Sequence, residues 1–160
     1  MADDSVAATP APSAGIAALS LYDPDGDGTE QSDDVGRADD GNPATAWTTV
    51  CYADRFLGGK SGLGLVADLG ELRTGTLSAA IISKPYQVEV FTAGGDSIPP
   101  DLAAGWTSVA TAADAAAGTV TANVEGARYV AVLFHELGRD ESCSRNRFRG
   151  SIGEISFQAA

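Results

Sequence analysis

The chain is short of cations. It carries 10 Lys and Arg against 22 Asp and Glu, a formal net charge of −12. A phosphate backbone requires a basic surface, so nucleic acid is excluded as a partner. An anionic lipid surface is excluded on the same ground. Histidine is nearly missing: His135 stands alone. No Gly-x-Ser-x-Gly elbow occurs, so the parts of an acid–base or nucleophilic centre are absent and the chain reads as no enzyme. No apolar run reaches the roughly 18 residues that a membrane-spanning helix requires. Residues 1–19 lack the basic-then-apolar order of a secretion signal. They are small, Pro- and Ala-rich, and read as a disordered linker. The expectation is a piece of a larger protein, with any membrane segment lying upstream.

What is abundant is carboxylate in one place. Tyr22 to Trp47 holds seven Asp and one Glu in 26 residues, with Arg37 as its only cation. Such a set repels itself unless a cation or free solvent relieves it. Asp23, Asp25, Asp27 and Gly28 reproduce the first half of the EF-hand ligand loop, and Asp34 falls where a bidentate carboxylate is expected. The flanks do not fit an EF-hand: Ala17 to Tyr22 is too short for an entering helix, and no amphipathic helix follows Asp34. Two readings stand. Calcium, which accepts roughly six to eight oxygens in flexible geometry, would suit this loop. A solvated turn would too, because Asp-Pro and Asp-Gly pairs are turn formers.

Only two cysteines are present, Cys51 and Cys143. They are too far apart for a Cys-x-x-Cys redox centre or a zinc knuckle. Either both are free or they pair. Each lies in a polar loop beside charged residues, unlike buried structural thiols, which favours a disulfide and an extracytoplasmic setting.

Short β-like runs fill the rest: Leu65–Leu69, Thr76–Ile82, Gln87–Thr92, Trp106–Ala110, Thr119–Val124, Tyr129–Phe134 and Ser151–Gln158. Gly, Pro or Asp separates them, the pattern of an all-β sandwich or barrel in one domain over residues 20–158. Tyr129–Phe134 is nearly continuous and reads as buried on both faces. In Ser151–Gln158, strict alternation sets Ile152, Glu154 and Ser156 against Ile155 and Phe157. Thr111 to Ala117 is Ala-rich and reads as a helical turn. Gly70 reads as a turn between two strands.

Two irregular stretches are candidates for recognition. Thr48 to Gly64 is Gly-rich and carries Tyr52, Arg55, Phe56 and Lys60. Leu137 to Gly150 holds four of the ten cations: Arg139, Arg145, Arg147 and Arg149. These arginines either pair with Asp140, Glu141 or the acidic loops, or they recognise an anionic or hydroxyl-rich ligand.

The stretch ADDGNPATAW resembles the Asp-Gly-(Asp/Asn)-x-x-Thr-x-Trp signature of galactose-binding-like jelly-roll domains. These include discoidin (coagulation factor type C) domains and related carbohydrate-binding modules. Phe148 to Phe157 resembles their last strand with its Glu. YDPDGDGTE, GLGLVADLGE, YQVEVFTA, GWTSVA, RYVAVLF and RGSIGEISF together resemble one subgroup more closely. That subgroup is the extracytoplasmic C-terminal domain of actinobacterial MviN/MurJ-type lipid II flippases, also found on some membrane serine/threonine kinases. The resemblance implies a jelly-roll β-sandwich of about eight antiparallel strands without a catalytic centre. It implies a structural calcium ion held by Asp40, Asn42 and Thr45, with Glu154 returning from the last strand. A carboxylate beside calcium stays ionised because the cation offsets its desolvation. Trp47 is expected in the core. The implied function is recognition of cell-wall carbohydrate or a peptidoglycan precursor through Tyr52, Arg55, Arg145, Asn146 and Arg147, in a monomer tethered to a membrane protein. The second expectation is a protein-interaction or spacer domain with no small ligand.

Overall fold

The structure is a computed structural model that describes residues 15–26, 30–42, 45–82, 86–102, 104–113, 118–145 and 147–160. Its strands in chain order are β1 (Ala18–Tyr22), β2 (Trp47–Thr48), β3 (Leu63–Ile81), β4 (Gln87–Ala93), β5 (Thr107–Ala113), β6 (Thr119–Glu136), β7 (Gly138–Arg139), β8 (Phe148–Arg149) and β9 (Ser151–Ala159). Two 3-10 segments, Ser32–Ala38 and Leu57–Gly59, interrupt the loops. Hydrogen bonding runs β2-β9-β3-β6-β4-β5, β1 adds to β3, and β7 pairs with β8. Every pairing is antiparallel.

One ladder becomes two layers because β3 and β6 bend together. Their register breaks between Asp68 and Gly75, opposite Val124 to Tyr129. Leu63–Asp68 and Tyr129–Phe134 lie in a layer with β1, β4 and β5. Gly75–Ala80 and Thr119–Val124 lie in a layer with β9 and β2. Leu65, Val130 and Val132 from the first layer meet Leu77, Val120, Ile155 and Phe157 from the second in one core. This is the jelly-roll sandwich. The sequence suggests separate strands at each bend, whereas each pair is one strand of 19 or 18 residues. Gly70 does take a positive φ of 86°, which only glycine adopts cheaply. It turns the strand through a corner rather than ending it.

Three further local expectations are corrected. Thr111–Ala113 belongs to strand β5, not to a helical turn. Its pairing with Gln87–Glu89 supplies backbone partners that a short Ala run would not provide for itself, and 114–117 lie outside the described residues. Trp106 precedes β5 rather than starting it. Ile152 does not share a face with Glu154: a register shift between Ile152 and Glu154 inserts an extra residue. Ile152 therefore joins Ile155 and Phe157 in the core.

Tyr129–Phe134 is buried throughout. Val130, Val132 and Phe134 face the inter-layer core, while Tyr129, Ala131 and Leu133 face a second cluster with Tyr22, Phe91 and Trp106. Trp47 is fully buried and its indole N–H donates to the Glu30 carbonyl at 3.0 Å. No helix among the described residues is long and apolar enough to cross a membrane.

Candidate functional site

Cys51 and Cys143 form a disulfide, with Cα atoms 6.0 Å apart and a sequence separation of 92. It joins the two irregular stretches, and backbone bonds extend the seam. Tyr52 and Phe148 exchange hydrogen bonds of 2.7 and 3.1 Å, Thr49 N–H donates to Gly150 at 3.0 Å, and Leu137 N–H donates to Arg55 at 2.7 Å. Gly150 also permits the seam to close. A Cβ there would stand 2.6 Å from the Phe134 ring. The two stretches therefore form one preorganised surface.

The predicted ligand residues divide on this surface. Arg55 is exposed; its guanidinium lies 5.2 Å from the Phe56 ring centre and 3.5 Å from Glu136. Phe56 itself is 54% exposed, the most open aromatic of these loops. Arg147 pairs with Glu141 at 2.7 Å. Arg145 is exposed, with no ion pair among the described residues. Asn146 lies outside the described residues. Tyr52 turns inward. Its hydroxyl donates to Glu30 and accepts from Lys60, and burial, then the Glu30 contact, pushes its pKa up to about 12. The remaining arginines are already engaged: Arg139 by Glu141 of its own loop at 3.0 Å, and Arg149 by Asp140 at 3.7 Å and, across the seam, by the Thr49 carbonyl at 3.1 Å.

The acidic stretch also divides. Asp23 meets the Lys60 ammonium at 3.1 Å, with its side chain fully buried. Asp25 accepts from the Ser61 hydroxyl and N–H; those bonds hold its pKa below the usual carboxylate range. Asp27 lies outside the described residues. Lys60 also reaches the buried Glu30 at 3.1 Å, and Glu30 accepts Val50 N–H at 2.9 Å. Burial opposes the charge on Lys60, but Tyr52, Asp23 and Glu30 together outweigh it and raise its pKa. Sequence reasoning missed Glu30 and Lys60 as partners. The signal was there: a lysine in a Gly-rich loop, in a chain with few cations, facing an acidic stretch.

The second half of the acidic stretch meets the last strand. Gly41 N–H donates to Glu154 Oε2 at 3.3 Å. Asp40 accepts from Asn42 N–H at 2.9 Å and from the Thr45 hydroxyl. Asp40, Asn42, Thr45 and Glu154 are thus brought together from the two ends of the chain. Glu154 Oε1 is buried with no hydrogen-bond partner. Burial, then the charges of Asp40 and Asp39, raises the Glu154 pKa. An orphaned buried carboxylate oxygen is what a hard cation would relieve, although among the described residues no three His, Cys, Asp or Glu side chains gather closely enough to hold one by themselves.

His135 Nε2 lies 2.8 Å from Glu89 Oε1, and Ser108 donates to the other Glu89 oxygen. The carboxylate stands between imidazole and hydroxyl. In a catalytic triad the imidazole stands in the middle, so this cluster has no activated nucleophile.

No family model matches the chain. Solved structures do. Chitosan-binding module 1 of a chitosanase/glucanase from Paenibacillus sp. IK-5 superposes with a TM-score of 0.63 at 16% identity, over 92% of this chain and 98% of that one. Module 2 of that enzyme, in complex with chitotriose, gives 0.58 at 16% identity, over 89% and 95%. The family 32 carbohydrate-binding module of AlyQ, in complex with 4,5-unsaturated mannuronic acid, gives 0.59 at 19% identity, over 91% and 96%. The chain shares the β-sandwich fold of these carbohydrate-binding modules.

Proposed function

We propose that this domain is a non-catalytic glycan-binding module working outside the cytoplasm. Its ligand is cell-wall carbohydrate or a peptidoglycan precursor, and its host is a membrane protein of peptidoglycan synthesis of the MviN type. The observation that carries the reading is the disulfide-fastened surface on which Phe56 is open and Arg55 stands over it. Sugar recognition combines an aromatic face with a few fixed polar groups, and fixing the loops in advance lowers the ordering cost of binding. Arg55, Arg145 and Arg147 supply donors for hydroxyls or a carboxylate. A calcium ion at Asp40, Asn42, Thr45 and Glu154 is the cofactor we assign, in a structural role. Titration of labelled protein with muropeptides and with chitooligosaccharides, followed by NMR, tests the reading. Shifts at Arg55 and Phe56 support it; unchanged signals at millimolar ligand defeat it.

A second reading has its own observation. Tyr52 is bound inward, and Arg55 and Arg147 already have carboxylate partners. That favours a protein-interaction or spacer domain, on the same host or on a serine/threonine kinase. Capture of a defined cell-wall protein, lost on charge reversal at Arg145 and Arg147, distinguishes it.

A further inference from the structure

Lys60, Asp23 and Glu30 form a nearly dry cluster. The Lys60 Nζ is 3.1 Å from Asp23 Oδ1 and 3.1 Å from Glu30 Oε2. The Asp23 side chain is 0% exposed, that of Glu30 6% and that of Lys60 19%. Tyr52 closes one side, with its ring centre 5.5 Å from Nζ. An amine held against a carboxyl group, with a second carboxyl group on the same amine, is the arrangement that intramolecular amide formation requires. Held so closely, the two groups react as one molecule, with a high effective concentration.

We propose that Lys60 and Asp23 join through an isopeptide bond, with Glu30 as the proton carrier. The ion pair first exchanges a proton, giving a neutral amine and a neutral acid. The Lys60 nitrogen lone pair then attacks Asp23 Cγ, forming the C–N bond. Glu30 takes a proton from nitrogen and returns it to the departing hydroxyl, and the C–O bond breaks with release of one water. Ammonium and carboxylate become one amide and one water, so charge and atoms balance without an oxidant or a co-reactant. The contacts that keep Lys60 charged at rest make this a slow single event, completed as the folded protein ages. The bond would tie the segment after β1 to the loop that leads into β3.

Intact mass of the folded chain, with the disulfide reduced, tests the proposal. The expected mass is lower than the sequence mass by one water. Tryptic digestion should leave Lys60 uncut and join peptide 1–37 to peptide 56–73. Asp-Gly pairs can also lose water, by succinimide formation. A loss that maps to Asp25-Gly26, Asp27-Gly28 or Asp40-Gly41 therefore overturns the proposal, as does the full mass in folded, aged protein. Asp23→Asn should lose one ammonia instead of one water, a signature that a plain ion pair cannot produce. Glu30→Gln should keep the full mass; bond formation at the wild-type rate in that variant overturns the role of Glu30. If Glu30→Gln does not fold, the wild-type and Asp23→Asn masses still decide.

Discussion

Gly41 and Glu154 lie 113 residues apart in sequence, yet the Gly41 N–H donates to the Glu154 carboxylate at 3.3 Å. That bond satisfies one carboxylate oxygen and leaves the other buried and unpaired. Burial raises the Glu154 pKa in the folded state, so the folded protein binds the proton more tightly than the unfolded chain. The favourable contribution is complete below the unfolded value, about 4.3. It is lost as pH rises through the raised folded value. In chelator, Glu154→Gln should therefore melt higher than wild type at neutral pH, and the difference should vanish in acid. Calcium should reverse the order at neutral pH by stabilising only the wild type, by about 2.7 kcal/mol at a hundredfold excess over its Kd. Calorimetry of both proteins from acid to neutral pH, with and without calcium, checks this. Equal melting of the two proteins under all conditions would sink the cation assignment.

The disulfide closes a loop with a sequence separation of 92 residues. In the chain-entropy model such a closure stabilises by about 4–5 kcal/mol. For a domain of this size that corresponds to a fall in Tm of roughly 10–20 °C on reduction. Thermal melting with and without reductant measures it. Removal of the bond should also broaden loop signals around Tyr52 and Phe148, whose backbone pairing it adjoins.

The sandwich was legible because β-branched and aromatic residues alternate in short runs, and one six-residue run is apolar throughout. The pairing of the loop holding Asp40 with Glu154 was legible only through the motif resemblance, since no local rule links positions so distant. Corners and bulges were not legible. Gly70 looks the same in sequence whether it ends a strand or bends one, and the register shift before Glu154 moves Ile152 to the other face. The partnership of Asp23 with Lys60 was hidden for a related reason. The Asp-x-Asp-x-Asp-Gly spacing matches a calcium loop, but a lysine 37 residues later in the chain supplies a positive charge.

Trp47 connects the motif to the core. It is fully buried, and its N–H bond to the Glu30 carbonyl fixes the backbone that carries the Glu30 carboxylate. Trp47→Ala should cost about 3–5 kcal/mol, as truncation of a buried aromatic does. Trp47→Phe should cost less, yet it still leaves the Glu30 carbonyl without its donor. Because Glu30 also holds Val50, Tyr52 and Lys60, the Phe variant should loosen the Thr48 to Gly64 loop before it unfolds the domain. Hydrogen exchange at Val50 and Tyr52, compared with exchange at Val132 in the core, separates local from global opening.

Phe56 gives the sharpest separation of binding from stability. The residue is 54% exposed, and the Arg55 guanidinium stands 5.2 Å from its ring centre. Phe56→Ala should leave the stability within about 0.5 kcal/mol of wild type, as surface substitutions generally do. If the ring is the sugar platform, its loss should weaken glycan binding by roughly tenfold or more, the scale of a stacked contact removed from a small site. Arg55→Ala should weaken binding as well and also free Glu136, its present partner at 3.5 Å. Glu136→Gln leaves the guanidinium without a competing carboxylate and should strengthen binding to an anionic glycan. Isothermal titration of the three variants against one muropeptide settles the order. A Phe56→Ala protein that binds as tightly as wild type would move the glycan site away from this surface.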